Sequence, residues 1–422
     1  MSKTFIRPRL VTASENGDIH DRPDLLMVCR RGAETALPRP EELIPLPKES
    51  ELFLLPGRRA LGLDPTSGEL LETDDLAVAA FTAPAHTLSA HPAFKKDADA
   101  PVLPLFAYGA AGFASGRFYV CAAKVDDDPR QVFSGIAAGV LRDEAHALLK
   151  QYPDNRLMRH LAGTCALRYN CPAARNLCLG RFEAPLPVSD ACNARCIGCI
   201  SRQEAGSGVC AAPQKRMNFT PTAEEIVEVM RHHAAKEKEA PVFSFGQGCE
   251  GEPLTRSALI ADAVRSFRSG GGRGTINVNS NASLPEAVEE LAKAGISSLR
   301  VSLNSADPDT YARYYCPQGY DFAQVRESIG RAKRAGVFVS LNLLFFPGFS
   351  DTEAEYAALT ALLREERADM LQLRNLNIDP DIYLELMRDT ERGPAMGLPA
   401  YRKRLKKDCP ALRIGYFNPY LG

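Results

Sequence analysis

The sequence predicts an α/β protein, a partial (β/α)6 TIM-like barrel preceded by a β-rich N-terminal domain. From residue 182 onward, short apolar runs alternate regularly with helical segments. Five of those runs begin 33, 24, 38 and 33 residues apart, mostly near the ~30 residues of a βα unit. The first 135 residues differ: they are rich in proline and glycine, with short apolar stretches between turn signals. Four units are therefore expected: a β-rich domain over 1–135, a helical connector over 136–181, the partial barrel over 182–380, and an extension over 381–422.

In chain order, 51–55, 59–63 and 117–122 read as strands, with a turn at 64–68. Residues 136–149 look helical, with Ile136, Val140, Leu141, Leu148 and Leu149 at the spacing of one apolar face. Barrel strands are expected at 184–188, 242–245, 275–278, 299–303, 337–345 and 370–376. Between them, Pro221 suits a first helical turn, and Ile226, Val229 and Met230 line one helix face. Ser283 to Glu286 and Ser350 to Glu353 read as capping boxes, and Gly295 and Gly336 suit helix ends. Near-continuous apolar strands alternating with helices imply a parallel sheet covered by helices. Six strands are too few for a closed eight-stranded barrel; an open doubly wound sheet is the competing architecture. In both, chemistry belongs at the carboxyl ends of the strands.

A chain of 422 residues with 45% hydrophobic and 24% charged residues is that of an ordinary globular protein, not a disordered one. Its 51 Lys and Arg against 52 Asp and Glu give a net charge of −1, so nothing in the bulk charge supports binding to nucleic acid or to an anionic membrane. The basic run at 402–407 reads as a solvated helix face. The first ten residues lack a signal-peptide core, and no apolar run approaches the ~18 residues of a membrane span. A cytoplasmic location is expected, where clustered cysteines more often bind metal than form disulfides.

There are 12 cysteines, and seven of them fall within 46 residues. Directly after the first barrel strand, Cys192, Cys196 and Cys199 form a C-x3-C-x2-C triplet. Three thiolates on one loop can hold three irons of a [4Fe–4S] cube and leave the fourth iron for a small molecule. A structural zinc site would want four protein ligands.

The triplet resembles the signature of the radical S-adenosylmethionine (radical SAM) superfamily, and the resemblance covers about 182–377. It implies a [4Fe–4S] cluster whose open iron is chelated by SAM, and an electron from a flavodoxin- or ferredoxin-type donor that breaks a C–S bond to release a 5′-deoxyadenosyl radical. The residue before the third cysteine is commonly aromatic in this family and packs near adenine; here it is Gly198, so Ile197 or residues near Phe346 are expected to serve instead. Glu250-Gly251-Glu252-Pro253 resembles the family's G-G-E-P element, which implies that Gly251 permits close approach and that backbone carbonyls or Glu252 receive the SAM amine. Ser280 and Asn281 resemble its T-N-G element. Ser302, Asn304 and Arg313 stand where relatives bind SAM, with Arg313 matching the carboxylate. Each of these single residues reads as well as a cap, turn or surface pair. Gly246, Gly248 and Gly251 also spell G-x-G-x-x-G, but the next strand ends without the acid that a dinucleotide site needs. Arg374 and Asn377 end the sixth strand and read as polar pairing at the core edge.

Upstream, Cys165, Cys171 and Cys178 are candidates for an auxiliary iron–sulfur cluster, with Cys210, Cys249, Cys121 or the substrate as fourth ligand. Buried small hydrophobes are the plain alternative. The seven histidines show no zinc spacing. The expected function is radical SAM catalysis on an unidentified substrate, a peptide or small metabolite. A non-catalytic iron–sulfur electron carrier or redox sensor, and a structural zinc protein, are the alternatives.

Overall fold

The computed structural model describes residues 6–204, 206, 208–390 and 393–422. At its centre a parallel sheet runs in sequential order: β1 (Glu183–Leu186), β2 (Val242–Phe245), β3 (Thr275–Ser280), β4 (Ser298–Leu303), β5 (Phe338–Phe345), β6 (Met370–Asn375) and β7 (Arg413–Gly415). The six expected strands are present. The seventh comes from the C-terminal segment, where Met370 of β6 registers with Arg413 of β7. Almost every residue of β1 to β6 is buried, because helices cover one side and the rolled interior lies on the other.

One side chain reports the curvature. Asn418, just past β7, donates to Glu183 of β1 at 3.0 Å and to Ser244 of β2 at 3.2 Å, and accepts from Gln372 of β6 at 3.2 Å. A flat sheet places its first and sixth strands roughly 24 Å apart, at about 4.8 Å per strand. The sheet is therefore rolled into a partial barrel, and the doubly wound alternative falls away.

The connecting helices are α1 (Ala223–Lys236), α2 (Ser257–Ser269), α3 (Pro285–Ala294), α4 (Pro308–Tyr315), α5 (Phe322–Arg334) and α6 (Glu353–Glu366). α1 starts with a capping box between Thr222 and Glu225, so Pro221 lies before the cap rather than in the first turn. Neither expected box forms at α3 or α6. Leu284 takes the cap position of α3, while Ser283 accepts a hydrogen bond from Asn193. At α6, Ser350 accepts from the Phe346 N–H and Asp351 from Gly348 and Gly397. Both hydroxyl–acid pairs fasten loops instead. Gly295 and Gly336 are left-handed, at φ 105° and 77°, and end their helices as expected.

The N-terminal residues form a nine-stranded antiparallel sheet. Glu51–Leu63 is one strand where two were expected; a register shift between Leu54 and Arg59 absorbs Pro56 and Gly57, as a bulge does. Glu51–Leu63 pairs with Leu70–Phe81 and Ile19–Met27, and Arg9–Ala13 joins those two, closing a small ring. The ring docks beside the carboxyl ends of β5 and β6. Gly32 N–H donates to Pro347 at 3.0 Å, Leu88 N–H to Asn375 at 2.8 Å, and the buried Arg58 pairs with the buried Asp379 at 2.8 Å.

Between the two units run Ala138–Gln151, Arg156–Arg159, a π-type turn His160–Ala166 and Pro172–Cys178. Leu148, Leu157, Leu161 and Leu177 share one core with Ile226 and Phe243 of the barrel. Among the described residues no helix is long and apolar enough to cross a membrane.

Candidate active site

Cys192, Cys196 and Cys199 lie on the loop beyond β1, and neighbouring backbone fixes that loop on two sides. On one side, Arg195 N–H donates to the Tyr315 carbonyl at 3.1 Å and Ile197 N–H to the Tyr314 carbonyl at 3.0 Å, holding the loop against the end of α4. On the other, Gly251 N–H donates to Ser189 at 2.7 Å and Glu252 N–H to Ala191 at 2.8 Å. A Cβ at Gly251 would run into the Ala191 carbonyl. The resemblance to a glycine-containing turn thus has a steric cause: the loop after β2 lies directly on the chain that leads into Cys192.

Glu252 is buried and joins the second and third strand ends. Its carboxylate accepts from Ser280 Oγ at 2.6 Å, Leu254 N–H at 3.0 Å and Asn281 N–H at 2.9 Å. Burial pushes its pKa up to about 7, against the pull of those three donors. Asn281 in turn donates to Asn193 within the signature loop at 2.9 Å. Gly251, Glu252, Ser280 and Asn281 therefore converge on the three-thiol loop.

The residue in the family's first glycine position, Glu250, has its own role, which sequence reasoning missed. Its buried carboxylate accepts four backbone N–H groups, from Val188, Ser189, Gly246 and Gln247, at 2.7 to 2.9 Å. The amides of Gly246 and Gln247 are thereby committed inward, which explains physically why the G-x-G-x-x-G spelling makes no phosphate cradle. Glu250→Gln places an amide donor against two N–H donors. A loss of about 3 kcal/mol is expected, readable as a lower urea midpoint with unchanged slope; a midpoint within error of the parent's would refute this role.

The three thiols line a cavity of about 470 Å³ together with Ile197, Arg202 and Arg216. Burial raises Cys196 well above the usual thiol range, with added repulsion from Cys199 and Cys192. Cys192 is also raised, by burial and then by Glu252. At Cys199 burial is outweighed by Ser201, by the N–H groups of Ser201 and Arg202, and by Arg216, so this thiol is held below its usual value. Arg216 reaches Cys199 Sγ at 3.7 Å and Ser201 at 3.2 Å. Cys316 is close enough for its charge to act on Cys196, but its S–H donates to the Arg313 carbonyl at 3.4 Å.

Other expected residues sit differently. Arg313 is exposed on α4 and donates to the Leu386 carbonyl at 3.2 Å. Tyr311, Tyr314 and Tyr315 take the inner face of that helix and turn Arg313 outward, so the cation beside the thiols is Arg216. Ser302 accepts from Asn342 at 3.3 Å. Asn304 lies past the end of β4 and donates to Thr310 and the Tyr383 hydroxyl, while its buried Oδ1 has no hydrogen-bond partner. Phe346 is packed between His91 and Tyr383, each ring centroid 4.6 Å away. A Cβ at Gly198 would meet the Tyr314 hydroxyl. The space beside position 198 is thus filled by a tyrosine of α4. Arg374 donates to the Tyr416 carbonyl at 3.2 Å. Of the upstream cysteines, Cys165 meets Cys249 and His160. Cys171 is half-buried and feels the charge of Cys249. Cys178 faces Glu144, with burial pushing it up to about 12.

The parallel partial barrel carries its three thiols on the loop after the first strand. Residues 186–360 match the Radical SAM superfamily, whose members use a [4Fe–4S] cluster and SAM. The chain is similar to the GTP 3′,8-cyclase of Alkaliphilus oremlandii (strain OhILAs), 27% identical over 40% of this chain and 49% of that one. It is also similar to the GTP 3′,8-cyclase of Rhizobium leguminosarum bv. trifolii (strain WSM2304), 28% identical over 39% and 44%. The chain thus spans about half the length of the curated relatives it matches. Among solved structures, a radical SAM methyltransferase from Sphaerobacter thermophilus aligns with TM-score 0.38 and 18% identity, over 56% of this chain and 67% of that one.

Proposed function

We propose that Cys192, Cys196 and Cys199 hold the [4Fe–4S] cluster and that SAM binds its fourth iron, above the carboxyl ends of β1 to β4. The donor set fits: three half-buried thiols share one loop and one cavity, and the neighbouring Cys316 has its S–H committed elsewhere. When bound, these cofactors supply reductive cleavage of SAM to a 5′-deoxyadenosyl radical that removes hydrogen from a substrate. The chain's own residues bind, orient and exclude water around that chemistry. Arg216 offsets thiolate charge at Cys199. Gly251 lets the backbone after β2 come close, and Glu252, held by Ser280 and Asn281, keeps three strand ends in register. Asn304 Oδ1 is a buried acceptor free for a ligand donor, and Tyr314 offers a ring beside Gly198. Ser302 stands on the neighbouring strand, and Ile197 lines the cavity.

The observation that carries this reading is the convergence of the signature loop with the Gly251–Glu252 and Ser280–Asn281 segments. A low-potential flavodoxin- or ferredoxin-type donor in the cytoplasm would supply the electron. The substrate is read as a small metabolite or peptide admitted at the barrel mouth; the name of the curated relatives makes GTP the first compound to try.

Anaerobic reconstitution tests the reading. The chain should take up about four irons at this loop and form 5′-deoxyadenosine from SAM with a strong reductant, and Cys192→Ala, Cys196→Ala and Cys199→Ala should each abolish this. Iron uptake without SAM cleavage would indicate an electron carrier or redox sensor instead.

A further inference from the structure

We infer that His160, Cys165 and Cys249 form a second, mononuclear metal site that takes a thiophilic divalent cation of the zinc class. His160 and Cys165 stand five residues apart in the π-type turn His160–Ala166, where the i to i+5 hydrogen-bond pattern brings such residues onto one face. Cys249 comes from the loop after β2. A ring nitrogen of His160 and the two sulfurs all lie within 4.8 Å of one another, the one such grouping of His, Cys, Asp or Glu among the described residues.

The spacing selects the kind of metal. Cys165 Sγ and Cys249 Sγ are 4.0 Å apart. Two thiolates bound tetrahedrally at about 2.3 Å from one zinc ion stand about 3.8 Å apart. In an iron–sulfur cube each thiolate binds a different iron, which spreads the sulfurs wider. Cys192, Cys196 and Cys199 do not gather within 4.8 Å of one another, and they are the set read as cube ligands. The histidine separates a metal site from a disulfide in waiting: both thiols are buried, and a His160 ring nitrogen within 4.8 Å of both completes a donor set of the kind that zinc takes.

Cys171 is the candidate fourth donor. Its N–H already donates to the Cys165 carbonyl at 2.9 Å, which keeps its backbone beside the site; its sulfur lies outside the 4.8 Å grouping and would have to turn inward to bind. On binding, each ligating thiol releases its proton to solvent while His160 stays neutral. With Cys165 and Cys249 alone, two thiolates balance a divalent charge. The ion would fasten the connector to the loop bearing Glu250, Gly251 and Glu252, whose other side is tied by Met217 N–H to the Cys249 carbonyl at 2.8 Å.

The test uses the full chain with Cys192, Cys196 and Cys199 all changed to Ala, purified anaerobically, so that only the second site remains. Elemental analysis should find about one zinc per chain, resistant to dialysis. Replacement by cobalt should give the intense visible absorption of a tetrahedral ion with a thiolate charge-transfer band. Cys249→Ser and His160→Gln should reduce retained metal to background, while Cys178→Ser should leave it unchanged. If the ligand variants do not fold, the cobalt spectrum of the parent chain and zinc protection of Cys165 and Cys249 from alkylation still decide. No retained zinc, an octahedral cobalt spectrum, or iron with sulfide at these residues would each overturn the inference.

Discussion

Gly251→Ala is expected to cost about 4 kcal/mol of folding stability and to stop the chain retaining iron at the signature loop. Overpacking against backbone costs roughly 1–3 kcal/mol because neither partner is a side chain that can swing aside. The added methyl would meet the Ala191 carbonyl, forcing apart the bonds from Gly251 N–H to Ser189 and Glu252 N–H to Ala191, at about 1 kcal/mol each. The measurement pairs a urea unfolding curve with an iron count after anaerobic reconstitution. A variant with the parent's midpoint and full iron would mean that the loop after β2 does not set the position of the signature loop.

Asp379→Ala is expected to destabilise by roughly 3–5 kcal/mol, the usual result of stripping one partner from a buried ion pair. Asp379 accepts from Arg58 at 2.8 Å and from Leu103 N–H at 3.0 Å, and both Arg58 and Asp379 are buried. Removing the carboxylate leaves a guanidinium enclosed without its counter-charge. The diagnostic readout is amide exchange, which should rise first along Glu51–Leu63 and the segment around Leu103. Arg58→Met combined with Asp379→Leu should recover part of the loss, since the apolar pair removes the unpaired charge while Leu103 N–H still lacks its acceptor. Failure of that double variant to recover, with both single variants destabilised, would place the effect outside this ion pair.

The repeat of strand and helix was legible because period and spacing are local properties. So was the triplet, whose chemistry depends on three residues within one loop. What escaped the sequence depended on partners far along the chain. Glu250 read as a defect in a glycine motif, yet it receives four amides from two loops about 60 residues apart. The capping boxes at Ser283 and Ser350 had the right letters, but Asn193 and Phe346 compete for those hydroxyls. Arg313 had the right spacing from β4, and the three tyrosines of α4 turned it outward. His160 belonged to no histidine pattern because its companions are cysteines at sequence separations of five and 89. The short strand β7 lacked the length to announce itself, and its pairing with β6 is what creates it.

The placement of the β-rich ring carries one more consequence. Gly32, Leu88 and Arg58 rest on the tips of the fifth and sixth strands, whereas the thiol loop is anchored by the first three strands and α4. Different rims of the mouth therefore belong to different sheets, one carrying the proposed cluster loop and one bordering the way in. Exchanging loops of the ring should retune which molecules enter while leaving the cleavage of SAM in uncoupled assays untouched.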